Sequence, residues 1–217
     1  MGNELPKAAE SFIMNLTGAG AVEVKEYAGE FRENQKFQNS VEGKRRVFGK
    51  RRHPSWDYNI GTTLGLVLYI ICRRQKPDIV LETGVSSGVS SSHILGALGQ
   101  NKRGQLYSID LPGWQDNQSG WLIPDYLRNR WHLIVGRSSQ ELAPLLKKVG
   151  EIDVFLHDSD HSYQNMLREF QTAWGSLKTG GLLLAHNIDY NESFTDFCRN
   201  QGVKGYFLGE LGGIVKT

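Results

Sequence analysis

The residues best suited to chemistry in this 217-residue chain fall in a few short runs. One is Val80-Leu81-Glu82-Thr83-Gly84-Val85-Ser86-Ser87-Gly88-Val89-Ser90, an apolar run that enters a glycine-rich turn and leaves it through serines. Glycine lets backbone approach a ligand closely, and a helix that starts after such a turn aims free N–H groups at a negative charge. The spacing is G-x-x-x-G. A dinucleotide fingerprint is G-x-G-x-x-G, so the middle glycine that admits a pyrophosphate is missing. Glu82 is also a poor neighbour for a pyrophosphate, whereas an acid there suits a ligand bearing an ammonium group. Asp110 follows Leu106-Tyr107-Ser108-Ile109 and is placed to accept both hydroxyls of a ribose. Gly136-Arg137-Ser138-Ser139 closes a further apolar run, caps a helix, and lies where an adenine ring would rest.

A second concentration is Val154-Phe155-Leu156-His157-Asp158-Ser159-Asp160-His161-Ser162-Tyr163. Two carboxylates and two imidazoles follow one buried strand, more than the capping of the next helix requires. Gly180-Gly181-Leu182-Leu183-Leu184-Ala185-His186-Asn187 then delivers His186 and Asn187 beside Asp158. Asp158, His186 and Asn187 could hold a divalent cation. His186 or His161 could instead act as a general base, oriented by Asp158, with an ordinary imidazole pKa of about 6.5.

These runs need a scaffold that brings strand ends together. Ile79-Val80-Leu81, Leu106–Ile109, Leu133-Ile134-Val135, Val154-Phe155-Leu156 and Leu182-Leu183-Leu184 are short and apolar on both faces, as a parallel sheet between helix layers demands. Helical stretches are expected between them at Ser90–Leu98, Leu122–Arg128, Gln140–Val149, Tyr163–Leu177 and Glu192–Asn200. Such alternation predicts a doubly wound, Rossmann-like α/β sheet. Gly205–Leu208 and Gly213–Val215 are too close together to hold a crossover helix, so they predict a C-terminal antiparallel hairpin. The expected sheet is seven-stranded and parallel except for that hairpin.

Composition narrows the field. With 39% hydrophobic and 22% charged residues, the chain is not expected to be disordered, and a formal net charge of +2 gives no mandate for nucleic-acid binding. Cys72 and Cys198 read as inert thiols. Met1–Pro6 lacks the form of a signal peptide, and the longest apolar stretch, Leu64–Cys72, is too short to cross a bilayer. A soluble cytoplasmic protein is expected. Residues 1–57 are polar, with basic clusters Lys44-Arg45-Arg46 and Lys50-Arg51-Arg52, and show helical periodicity only around Ala8–Leu16. They read as a lid or an oligomer contact, with a homodimer as the candidate assembly, appended to a domain over 58–217.

Over roughly 58–217 the chain resembles class I methyltransferases dependent on S-adenosylmethionine (SAM). It is most similar to the catechol and caffeoyl-CoA O-methyltransferase group and to families with an Asp-x-Asp-His-x-Tyr signature, here Asp158 to Tyr163. The resemblance implies SAM as cofactor. Gly61, in Asn59-Ile60-Gly61-Thr62, would lie against it; Glu82, Gly84 and Ser86 would frame its methionine part, with Ser90 on the carboxylate. Asp110 would take the ribose, Ser138 would lie near the adenine, and Asp158 would border the same site. The acceptor would be a small molecule bearing a hydroxyl. The family's cation falls on Asp158, His186 and Asn187, with His186 in place of a carboxylate, which shifts preference from Mg toward Mn, Fe or Zn. Two rivals differ in class: a nicotinamide-dependent oxidoreductase or epimerase, and a SAM-fold module that binds RNA or a protein partner. The glycine spacing and terminal hairpin oppose the first. The intact carboxylates at Glu82 and Asp110 oppose the second.

Overall fold

The expected apolar runs do become strands. In the computed structural model, which describes residues 5–49, 62–112 and 119–217, β1 (Ile79–Thr83), β2 (Gln105–Asp110), β3 (Trp131–Val135), β4 (Ile152–His157), β5 (Leu177–Ala185), β6 (Gly205–Leu208) and β7 (Leu211–Val215) form one sheet in the order β3-β2-β1-β4-β5-β7-β6. The first five are mutually parallel, and β7 runs antiparallel to both β5 and β6. The direction of winding reverses between β1 and β4, the position where open α/β sheets bind ligands.

Side chains alternate across the sheet, so each strand feeds two cores. Val80 of β1 packs with α4 (Thr62–Gln75) and α5 (Val89–Asn101), whereas Leu81 packs with α6 (Ser138–Val149), α7 (Tyr163–Ser176) and α8 (Ser193–Gln201). The same alternation sends Glu82 toward α5 and Thr83 toward α7. The stretch expected to be helical at Leu122–Arg128 is instead a short 3₁₀ helix over Asp125–Arg130. Leu122 N–H donates to Ser87 O and Pro124 is extended at ψ 134°, so helical geometry cannot begin before Asp125.

Residues 5–49 are far more ordered than their sequence announces. They form α1 (Lys7–Thr17), α2 (Ala21–Glu33) and α3 (Gln35–Gly49). Phe12, Ile13, Leu16, Val24 and Phe37 are buried in the same core as Leu66, Ile70 and Ile94. Glu30 of α2 grips Arg73 of α4 through two hydrogen bonds, of 2.6 and 2.7 Å. Lys44 pairs with Asp125 at 2.7 Å and Arg46 with Glu42 at 3.1 Å, so part of the first basic cluster is neutralised on the protein's own surface. The boundary expected at 57/58 and the cluster Lys50-Arg51-Arg52 lie outside the described residues, as does Gly61. No described helix is long and apolar enough to cross a membrane.

Candidate active site

The carboxyl ends of β1, β2, β4 and β5 open into a cleft of about 1050 Å³. Of the residues expected to build a site, Gly84, Ser86, Asp110, Ser138, Asp158, His161, His186 and Asn187 all line it. Gly84 has φ +86°, and a Cβ there would fall 1.9 Å from the carbonyl oxygen of Asp158, so only glycine lets β1 and β4 meet this closely. Ser86 and Asn187 are non-glycine residues in the left-handed region, at φ +49° and +53°. Strain of that kind collects where a site dictates the backbone.

At one end of the cleft the Asp110 carboxylate is held by two backbone amides. Ser86 N–H donates to Oδ2 at 3.1 Å and Leu111 N–H to Oδ1 at 3.0 Å. Leu111 is 56% exposed and lines the same wall. An oriented carboxylate beside an uncovered apolar side chain matches a ribose joined to a flat base, so these residues fit an adenosyl ligand.

Glu82 and Ser90 do not line the cleft. Glu82 is fully buried and accepts hydrogen bonds from Ser90 (3.2 Å), Ser108 (2.7 Å) and Ser91. Burial pushes its carboxyl up to about 7, the three hydroxyls offsetting only part of that cost. Where an ammonium contact is expected, the Glu82 carboxyl is held in a serine nest on the α5 face. On the opposite face lies Glu169 of α7, which the sequence reading missed. Its carboxylate accepts from Thr83 (2.5 Å), Ser159 (2.7 Å) and Asn165 (3.0 Å), and pairs with His157 Nδ1 at 2.7 Å. Burial works against its ionisation, but the hydrogen bond and charge of His157, with the neighbouring hydroxyls, hold it down at about 2. His157 thus faces this network, beneath the cleft. A signal existed: Met166, Phe170 and Ala173 form an apolar stripe at helical spacing, and Glu169 stands inside it.

At the other end of the cleft, Asp158 Oδ1 lies 2.9 Å from His186 Nδ1 and 3.9 Å from His161 Nε2. Glu210, in the turn between β6 and β7, brings Oε1 to 3.0 Å from His186 Nε2, although the N–H does not line up for a hydrogen bond. Its Oε2 is 3.4 Å from Asn187 Nδ2. Glu210 was also missed, since an acid in a hairpin turn has no local signature. Burial, then the charge of His157, lowers the His161 pKa. For His186 burial acts downward, but the hydrogen bond and charge of Asp158, and then Glu210, raise it. Asp160 lines the cleft too, while its Oδ1 accepts from Ser162 N–H in a turn at the start of α7. The donor set expected for a cation is crossed by a ring: the His186 imidazole stands between the carboxylates of Asp158 and Glu210, and no three His, Cys, Asp or Glu side chains among the described residues are arranged to share a metal.

Residues 81–188, which carry the glycine turn, Asp110 and the Asp158 cluster, match the family model for a methyltransferase domain. Over that stretch, just under half of its length, the chain matches a methyltransferase domain. This methyltransferase is similar to mouse catechol O-methyltransferase, with 29% identity over 138 residues, 61% of this chain and 51% of the mouse enzyme. It therefore spans about half the length of that relative. Its fold resembles an SAH-bound methyltransferase from Podospora anserina (TM-score 0.63, 16% identity, 84% of this chain and 88% of the other). It also resembles an O-methyltransferase from Bacillus cereus in complex with SAH (TM-score 0.63, 17% identity, 82% and 91%).

Proposed function

We propose that this methyltransferase moves a methyl group from SAM to a hydroxyl oxygen of a small molecule. The observation that carries the reading is one cleft with an amide-oriented carboxylate, Asp110, at one end and an imidazole pair on Asp158 at the other. Asp110 would bind the ribose hydroxyls, Leu111 would pack on the base, and Ser138 would lie along the adenine edge. SAM, when bound, supplies a methyl group activated on a positively charged sulfur. His161 is the general base: its lowered pKa keeps the ring neutral through the physiological range, and Asp158 beside it stabilises the imidazolium formed once it takes the hydroxyl proton. His186, bonded to the same Asp158, fixes that carboxylate in place. The likeness to mouse catechol O-methyltransferase supports an oxygen acceptor.

Calorimetry with SAM and SAH tests the cofactor. Asp110→Ala should weaken both by roughly ten- to a hundredfold, the loss of a charge-assisted contact worth about 1.5–3 kcal/mol. Tight NADH binding without SAM binding would overturn the reading. Methyl-labelled SAM incubated with cell extract, followed by mass spectrometry, tests the acceptor; label entering only RNA or protein would refute a small-molecule substrate. His161→Ala should abolish label transfer and leave SAM affinity intact. With the native enzyme, transfer should persist below pH 6.5, because a base with a lowered pKa stays unprotonated further into acid.

A further inference from the structure

The position where the resembling family holds a divalent cation is, in this chain, crossed by a side chain. We propose that this methyltransferase uses no divalent cation, because the imidazole of His186 occupies the place between Asp158 and Glu210 that an ion would need. The inference rests on the methyltransferase reading of the cleft and concerns how its acceptor end is built.

The two nitrogens of an imidazole point away from each other. Asp158 Oδ1 sits 2.9 Å from Nδ1 and Glu210 Oε1 sits 3.0 Å from Nε2, so the two carboxylates lie on opposite edges of one ring. An ion bound by both would have to displace that ring. An ion bound by Asp158 alone would have a single carboxylate, whose Oδ1 is already paired with His186 Nδ1. The ring is 88% shielded and rigidly placed: His186 N–H donates to His157 O at 2.9 Å, which extends the β4–β5 pairing to this residue. Asn187, with its backbone at φ +53°, turns a donor, not an acceptor, toward Glu210, where a metal would require the oxygen. His161, the next nearest donor, approaches Asp158 only to 3.9 Å. A carboxylate at position 186 would reverse this arrangement, since it would add a charged oxygen ligand and remove the bridging ring. The feature that closes the site to an ion is therefore one residue type.

The test uses the full chain, dialysed against EDTA and then titrated with Mn²⁺ under electron paramagnetic resonance, so that binding is read without turnover. The native protein is expected to leave the Mn²⁺ signal that of the free ion. His186→Asp is expected to gain Mn²⁺ affinity by about tenfold or more through the added oxygen ligand. Label transfer from SAM into extract should proceed equally in EDTA and in Mn²⁺. One tightly bound Mn²⁺ per native chain, or transfer lost in EDTA and restored by the ion, would overturn the proposal. So would a folded His186→Asp variant that gains no affinity, since the ring would then not be the obstacle. If that variant does not fold, as judged by circular dichroism, the native titration decides alone. SAM calorimetry separates the two levels: no SAM binding with or without EDTA breaks the methyltransferase reading, while binding lost only in EDTA overturns the proposal.

Discussion

Glu82 and Glu169 sit on opposite faces of the same strand end and are equally hidden from water, at 0% and 1% exposure. Each accepts several hydrogen bonds, yet one carboxyl is pushed to about 7 and the other held near 2. The difference lies in the partners. Glu82 has three serine hydroxyls and no cation, whereas Glu169 has an imidazole at 2.7 Å besides its hydroxyl and amide donors. Hydroxyl dipoles soften the burial of a charge; the hydrogen bond and charge of His157 outweigh it at Glu169. The outcome suits each place. The α5 face carries the turn at which the cofactor would enter and needs shape there, not charge. The α7 face holds the loop Asp158–His161, and Glu169 ties Thr83, His157, Ser159 and Asn165 together beneath it.

The sharpest way to break the comparison is to delete the paired acid. Glu169→Ala leaves His157 buried without its partner and should cost about 3–5 kcal/mol in urea unfolding; a loss no larger than that of a surface substitution would mean that the two residues do not form an ion pair. Acid should separate the two glutamates next. Glu169 is depressed below its ordinary 4.5, so its contribution is full above that pH and is lost as pH falls toward 2. Glu82 is raised, so its contribution is full below 4.5 and disappears as pH climbs through about 7. The stability of the native protein relative to Glu82→Gln should therefore fall from pH 4.5 to 7, and a relative rise would refute the raised value. The smallest effect is Glu82→Gln itself at pH 4.5, where the native carboxyl is neutral as well. The amide keeps the shape and the serine hydroxyls can turn to accept from it, so under about 1 kcal/mol should be lost.

The same comparison shows what the chain discloses of itself. Strands β1 to β5 were legible because a sheet covered on both faces needs uninterrupted apolar runs, and Val80-Leu81 or Leu182-Leu183-Leu184 have no other use. The cleft residues Gly84, Asp110, Asp158 and His186 were legible because strand ends in this topology point one way. The partners that set their chemistry were not. Glu169 comes from 86 residues beyond Thr83 and Glu210 from 23 beyond Asn187, and only tertiary packing brings them together. Helices α2 and α3 escaped notice for a related reason. The buried face of α2 is just Val24 and Ala28, too narrow to register as a period. Its stability comes from contacts such as Glu30 with Arg73 that no local pattern reveals.

The position of β7 has a consequence for biogenesis. The last strand in chain order fills an interior slot, paired with β5 on one side and β6 on the other. A growing polypeptide that has not yet reached Leu211 can assemble the five parallel strands, but it leaves the Leu182–Ala185 edge of β5 unpaired and apolar. An open edge of that kind is a template for pairing with other chains. During synthesis the protein therefore passes through an interval in which most of its core exists, its catalytic cleft lacks a wall, and its greatest hazard is another copy of itself.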